Sequence, residues 1–227
     1  MRRPLLIAAT VVAALGSVHV PAQGVGDAVR LEAEGIRMVG SGAALVITDA
    51  ASGRELKRIN VAAAGGADPS RVSAIRLARE RRSFVVGFEA LPEIWEISID
   101  PKAPDLYQGM VHDFRLGEGV PERGYLGVRR TRLDAALPRF ALDRTGAYVV
   151  GCRADSPPGG CTLALLHLDV RRRIAQFALK GVPDLGAVRD GVVAQHAALE
   201  LPDAQGTISW RIDLIDHRLM ATPPAAP

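Results

Sequence analysis

The chain is expected to be all-β and propeller-like, and three observations point there. Helical periodicity is absent from the greater part of it; short runs rich in β-branched residues and punctuated by Gly, Pro and Asp take its place. One unit recurs: an apolar strand closed by an acid, a tight polar turn, and a second strand that starts basic. The recurrence has a period that fits propeller blades.

The N-terminus precedes this pattern. Met1-Arg-Arg-Pro4 is followed by an apolar run from Leu5 to Leu15 and by the small-residue step Val20-Pro-Ala22. This is the layout of a secretory signal peptide over residues 1–22. Gly16, Ser17, His19 and Pro21 interrupt the run before the roughly 20 apolar residues that a membrane anchor needs. The product is expected in the periplasm or outside the cell, with no stable membrane insertion. Residues 23–222 are expected to form a single propeller-like domain, and 223–227 a disordered tail.

Removing residues 1–22 takes away Arg2 and Arg3 and no acid, so the formal charge falls from +3 to +1. Basic clusters stand at Arg79-Glu-Arg-Arg82, Arg129-Arg130 and Arg171-Arg-Arg173, without the interleaved aromatics of a nucleic-acid surface. They read as exposed turns between strands, and no nucleic-acid partner is expected.

The repeated unit appears as Ala44 to Asp49 followed by Ser52-Gly53 and Lys57 to Val61. It returns as Ile94 to Asp100, as Leu165 to Asp169 followed by Arg173 to Phe177, and as Trp210 to Asp216 followed by His217-Arg-Leu219. The closing acids Asp49, Asp100, Asp169 and Asp216 are 51, 69 and 47 residues apart. A blade of about 40 to 50 residues fits the first and last spacings, and an insertion at Gly117 to Gly127 accounts for the middle one. About four blades are recognisable, in an array either incomplete or completed by association; a β-sandwich is the alternative. Trp95 and Trp210 hold similar places in their repeats and are expected to pack between blades.

Cys152 and Cys161 bracket a turn-rich stretch between the strand-like Ala147 to Gly151 and Thr162 to Val170. Two strands joined by a short loop hold their ends close, so a disulfide is expected in an oxidising compartment.

Between Ser70 and about Asp190 the chain resembles the cytochrome d1 family, the eight-bladed propellers of dissimilatory nitrite reductases and of periplasmic relatives in haem d1 biogenesis. The residues that carry the resemblance are Arg71-Val-Ser-Ala-Ile75, Ser83-Phe-Val-Val-Gly-Phe88, Pro92-Glu-Ile-Trp-Glu-Ile-Ser-Ile-Asp100 and Val111-His-Asp-Phe114. Leu137-Pro-Arg-Phe140, Asp143 to Val150, Leu168-Asp-Val170, Arg173-Ile-Ala175 and Gly181 to Gly186 complete it.

The resemblance implies haem d1 or a related tetrapyrrole as a cofactor, with His112 as the candidate ligand. It also implies two nitrite-facing histidines, which would fall near Arg79 and near Ala141 or Leu142, where this sequence has none. A guanidinium does not release a proton near neutral pH, so it does not replace an imidazole acid. No Cys-x-x-Cys-His occurs for covalent haem.

His167, His196 and His217 are read as structural, the latter two standing alone. Glu93 and Glu96 flank Trp95 on opposite faces of a strand, which disfavours an acid/base pair; they read as a solvated edge. No catalytic residue is named. The expectation is a non-catalytic binding or scaffold protein that associates with a periplasmic partner or with itself. A haem or tetrapyrrole carrier or redox protein is one alternative, and a small-anion binding module the other.

Overall fold

Four times in succession the chain folds back on itself three times, and each pass yields an antiparallel four-stranded meander. The computed structural model describes residues 29–62, 69–107 and 121–222. The first blade contains β1 (Arg30–Ala33), β2 (Ile36–Ser41), β3 (Ala44–Asp49) and β4 (Glu55–Asn60). The second contains β5 (Val72–Ala78), β6 (Ser83–Phe88), β7 (Glu93–Ser98) and β8 (Val128–Arg132). The third is built from β9 (Arg139–Leu142), β10 (Tyr148–Cys152), β11 (Cys161–His167) and β12 (Arg172–Leu179). The fourth is built from β13 (Arg189–Val193), β14 (His196–Pro202), β15 (Ile208–Asp213) and β16 (Arg218–Ala221). Four separate sheets, each paired strictly in chain order, make a propeller-like array and remove the sandwich alternative.

Burial follows the sequence pattern blade by blade. In blade 1 the strands alternate, and Ile36, Met38, Leu45 and Ile47 are buried on one face only. In blades 2 and 3 the central strands are apolar on both faces: all six residues of β6 are buried, as is most of β11. A strand covered on both sides reads as a continuous apolar run. The described residues form three buried apolar clusters, one between blades 1 and 2, one between 2 and 3, and one between 3 and 4. Gly87 faces the middle cluster, where a Cβ would lie 2.8 Å from the Leu137 carbonyl oxygen and 2.8 Å from the Phe140 ring. Without a side chain there, blades 2 and 3 close against each other.

The faces of the end blades turned away from these clusters are polar. On blade 1 the register puts Glu32, Arg37, Thr48 and Glu55 on that side, with an Arg37–Glu32 ion pair of 2.9 Å. On blade 4 it puts Glu200, Arg211, His196 and Asp213 there; Arg211 bonds Glu200 at 2.9 Å and His196 bonds Asp213 at 2.9 Å.

The disulfide joins Cys152 at the end of β10 to Cys161 at the start of β11, with Cα atoms 5.5 Å apart. It closes the loop of residues 153–160 at the end of the blade where second strands pass to third ones.

Candidate functional site

In an antiparallel meander the first and third turns lie at the same end of the sheet. At that end the third turn contains four or five residues in blades 1, 3 and 4, but in blade 2 the connection from β7 to β8 runs from Ile99 to Gly127. Its outgoing and returning arms are joined at a neck: Leu106 N–H donates to the Glu122 carbonyl at 2.8 Å and Glu122 N–H to the Leu106 carbonyl at 2.9 Å. A long connection inside a regular repeat is where function concentrates.

The base of this insertion is tightly built. A Cβ on Gly124 would sit 2.1 Å from the Pro104 carbonyl oxygen, so the two arms touch backbone to backbone. Leu126, buried in the cluster between blades 1 and 2, has φ +58°, a conformation a bulky residue adopts only when its surroundings impose it. Its N–H donates to the Ser98 carbonyl at 2.8 Å, and its own carbonyl accepts from Lys57 Nζ at 2.9 Å. Lys57 also bonds Glu122 at 2.7 Å, which moors the insertion to blade 1.

Against the base of the insertion lies a cavity of about 330 Å³, walled by the β5–β6 turn, the end of β7, the start of β8 and the two arms at Pro104 and Gly124. Glu96 reaches it from β7 with a side chain only 7% exposed. Arg81 Nε bonds Glu96 Oε1 at 2.8 Å and Nη2 bonds Oε2 at 3.2 Å, a two-pronged pair. Arg81 Nη1 extends to Asp169 of blade 3 at 2.7 Å. Burial works against its charged form, yet the bonds to Glu96 and Asp169 outweigh that and hold Arg81 above the usual guanidinium range. Arg82 turns the other way, bonding Glu34 of blade 1 at 2.8 Å and Asp100 at 2.8 Å. Two consecutive arginines on one turn therefore bridge three blades.

A second group lies on the opposite face of β7 and β8. Trp95 Nε1 donates to Glu93 Oε2 at 2.6 Å, and both residues are buried. Arg130, opposite Trp95 in register, stacks over the indole with Cζ 4.4 Å from the ring centroid. Its Nη1 lies 3.2 Å from the Ala62 carbonyl and 3.4 Å from Glu93.

The expected site residues are distributed as follows. Trp95 is fully buried in the cluster between blades 1 and 2, and Trp210 is half-buried on the third strand of blade 4, against the cluster between blades 3 and 4. Asp49 closes β3 by accepting from Ser52 N–H at 2.7 Å and its hydroxyl at 2.6 Å, and these bonds hold its carboxyl below the ordinary range. Asp100 and Asp169 lie two residues beyond their strands and bond the paired arginines. Asp216 does not close a strand: it is exposed, and the carboxylate that does so in blade 4 is Asp213, which accepts from the N–H groups of Asp216 and Ile215. His112, the predicted signal peptide and the tail lie outside the described residues.

Three further readings need correction. Glu93 and Glu96 are not at a solvated edge, because β7 is an inner strand flanked by β6 and β8. His196 does not stand alone, because it meets Asp213 across strands. Arg81 and Arg130 are not free turn arginines, with side chains 17% and 26% exposed. Cross-strand register is the signal that pairs Arg130 with Trp95 and Arg129 with Glu96, and it depends on knowing which strands are neighbours.

No model of a known protein family matches the chain, and no curated protein matches it. Among solved structures it is similar to the dihydro-heme d1 dehydrogenase NirN in complex with DHE, at 23% identity and a TM-score of 0.61, over 82% of this chain and 35% of that one. It thus spans about a third of the length of that protein. It is also similar to the Cps50 (Swd1) β-propeller domain of Myceliophteria thermophila, at 15% identity and a TM-score of 0.44, over 76% of this chain and 45% of that one. The WD40 domain of Neurospora crassa Pan2 follows at 5% identity and a TM-score of 0.47, over 83% and 50%. With four meandering sheets packed face to face and the likeness to NirN, the fold of this chain is that of a β-propeller.

Proposed function

We propose that the chain is an exported, non-catalytic binding protein whose binding site is the β7–β8 insertion and the turns at its base. The observation that carries this reading is the insertion itself, whose moored and neck-closed base adjoins a cavity in an otherwise regular array. Export is supported by the charged and apolar N-terminus and by the disulfide, which persists in oxidising compartments. The absence of histidine near Arg79 and Ala141, where the resemblance calls for it, supports a site that binds rather than reduces.

Replacing residues 101–126 by a four-residue turn tests this. The expected product keeps its strand signal by circular dichroism and its disulfide, and loses thermal stabilisation by whatever stabilises the parent chain. An unchanged ligand response would move the site elsewhere. For export, the expected result is a mature chain in the periplasmic fraction that begins at Gln23.

The second reading is tetrapyrrole binding, favoured by the likeness to a protein solved as a dihydro-heme d1 dehydrogenase. Titration with haem b and with haem d1 tests it. A saturable spectral shift lost in His112→Ala supports it, and a flat titration removes it. A protein partner or a second copy is also proposed to dock at the turn face that carries the insertion. Sedimentation of a strict monomer at high concentration would count against self-association.

A further inference from the structure

We propose that the cavity at the base of the insertion binds a small zwitterion, a free α-amino acid or a short peptide, with Arg129 receiving its carboxylate and Glu80 its ammonium group. The proposal rests on the binding reading above and names the ligand class for that site.

The charges around the cavity lead to it. Three carboxylates and two guanidiniums line the space: Glu80, Glu96, Asp100, Arg81 and Arg129. Arg81 takes both oxygens of Glu96, and Arg82 takes Asp100 from outside the cavity. Two charges of opposite sign are left. Arg129 stands opposite Glu96 in register, yet with both Glu96 oxygens engaged it has no hydrogen-bonding or charged partner among the described residues. Glu80, on the β5–β6 turn, likewise has none there.

A guanidinium has five donors in a planar fork that matches a carboxylate edge to edge. The Ser98 hydroxyl, which accepts from Asp100 N–H at 3.2 Å, keeps its own proton for a ligand oxygen. One unmatched charge of each sign selects against a simple anion, which Glu80 repels, and against a simple cation, which Arg129 repels. The volume of about 330 Å³ is at the small end of ligand cavities. The αL backbone of Leu126 and the touching arms at Gly124 show that the base of the insertion, which lines the cavity, is held in place.

Thermal shift and isothermal titration of the full mature chain test the proposal, with glycine, the other standard L-amino acids and diglycine as probes. Sodium acetate, inorganic phosphate and propylamine serve as single-charge controls. At least one zwitterion is expected to bind saturably, while acetate, phosphate and propylamine do not. Arg129→Gln is expected to weaken that binding at least tenfold, Arg129→Lys less, and Glu80→Gln to relax the preference against acetate. Because Glu80→Gln changes an exposed turn residue, it keeps the test available if the Arg129 variants unfold. Binding by acetate or phosphate as tight as by any amino acid overturns the zwitterion and leaves the binding reading standing. Binding that survives Arg129→Gln unchanged overturns the site, and no response to any probe overturns both.

Discussion

Arg130 lies flat over Trp95, its guanidinium carbon 4.4 Å from the indole centroid, while Trp95 donates its ring N–H to Glu93 on the same strand. The stack puts a cation, an aromatic face and a buried carboxylate in one column between β7 and β8. Arg130→Met keeps much of the apolar stem, removes the charge, and leaves the Glu93 carboxylate facing only the indole donor. A loss of about 2 to 3 kcal/mol is expected in urea denaturation, since a buried acid then loses its cation. Trp95→Ala should cost more, about 3 to 5 kcal/mol, from the cavity it leaves among fully buried neighbours. The double variant should fall short of the sum, because the two residues share one contact.

Reduction of Cys152–Cys161, or the double replacement by Ala, frees the loop of residues 153–160. A loop this short is expected to contribute roughly 2 to 3 kcal/mol in the chain-entropy model. The check is a parallel thermal melt with and without reductant. The reduced form should melt lower, with the same strand signal before the transition.

Asp134 accepts from Arg173 and from Arg153, each at 2.5 Å, and these bonds hold its carboxyl down at about 2. The folded value is depressed below the ordinary 3.8, so the contribution to stability is present above about pH 4 and is lost as pH falls toward 2. Comparing the chain with Asp134→Asn across this range, the gap between their melting temperatures should be full at pH 6 and close toward pH 2. An equal gap at both ends would place the effect in packing rather than in charge.

Gly124→Ala drives a methyl into the Pro104 carbonyl, 2.1 Å away, and forces the two arms of the insertion apart. The expected cost is about 1 to 3 kcal/mol if the blades resist, with early proteolytic cleavage between Pro101 and Gly127. Gly42→Ala, in open space on a turn with φ +57°, should leave cleavage there unchanged.

The blades were legible because strand runs and turn residues recur locally. Asp49 with Ser52-Gly53 announces a hairpin, and Phe84-Val-Val86 followed by Phe88, apolar on both faces, announces a strand covered on both sides. The disulfide was legible for the same reason, its cysteines being separated by one turn. What the sequence hides is register between strands distant in the chain. Glu93 and Glu96 look solvated until β8 is laid beside β7, 29 residues later. Arg81 and Arg82 look like one basic patch, yet adjacent residues point to different blades, one toward Asp169 and the other toward Glu34. The repeated acid was legible as a pattern and not as a role, since Asp213 rather than Asp216 takes the turn in blade 4.

The contrast between end and middle blades bears on how such an array can change its length. Blades 2 and 3 present oil to both neighbours, so a duplicated copy of either could be spliced between them and find a matching surface on each side. A copy appended outside blade 1 or blade 4 would instead meet Glu32 and Arg37, or Glu200 and Arg211, and would have to strip water from charged pairs to seat itself. Insertion of a copy between blades 2 and 3 meets apolar surface on both sides, whereas packing of a copy on either outward face is opposed by the charged pairs there.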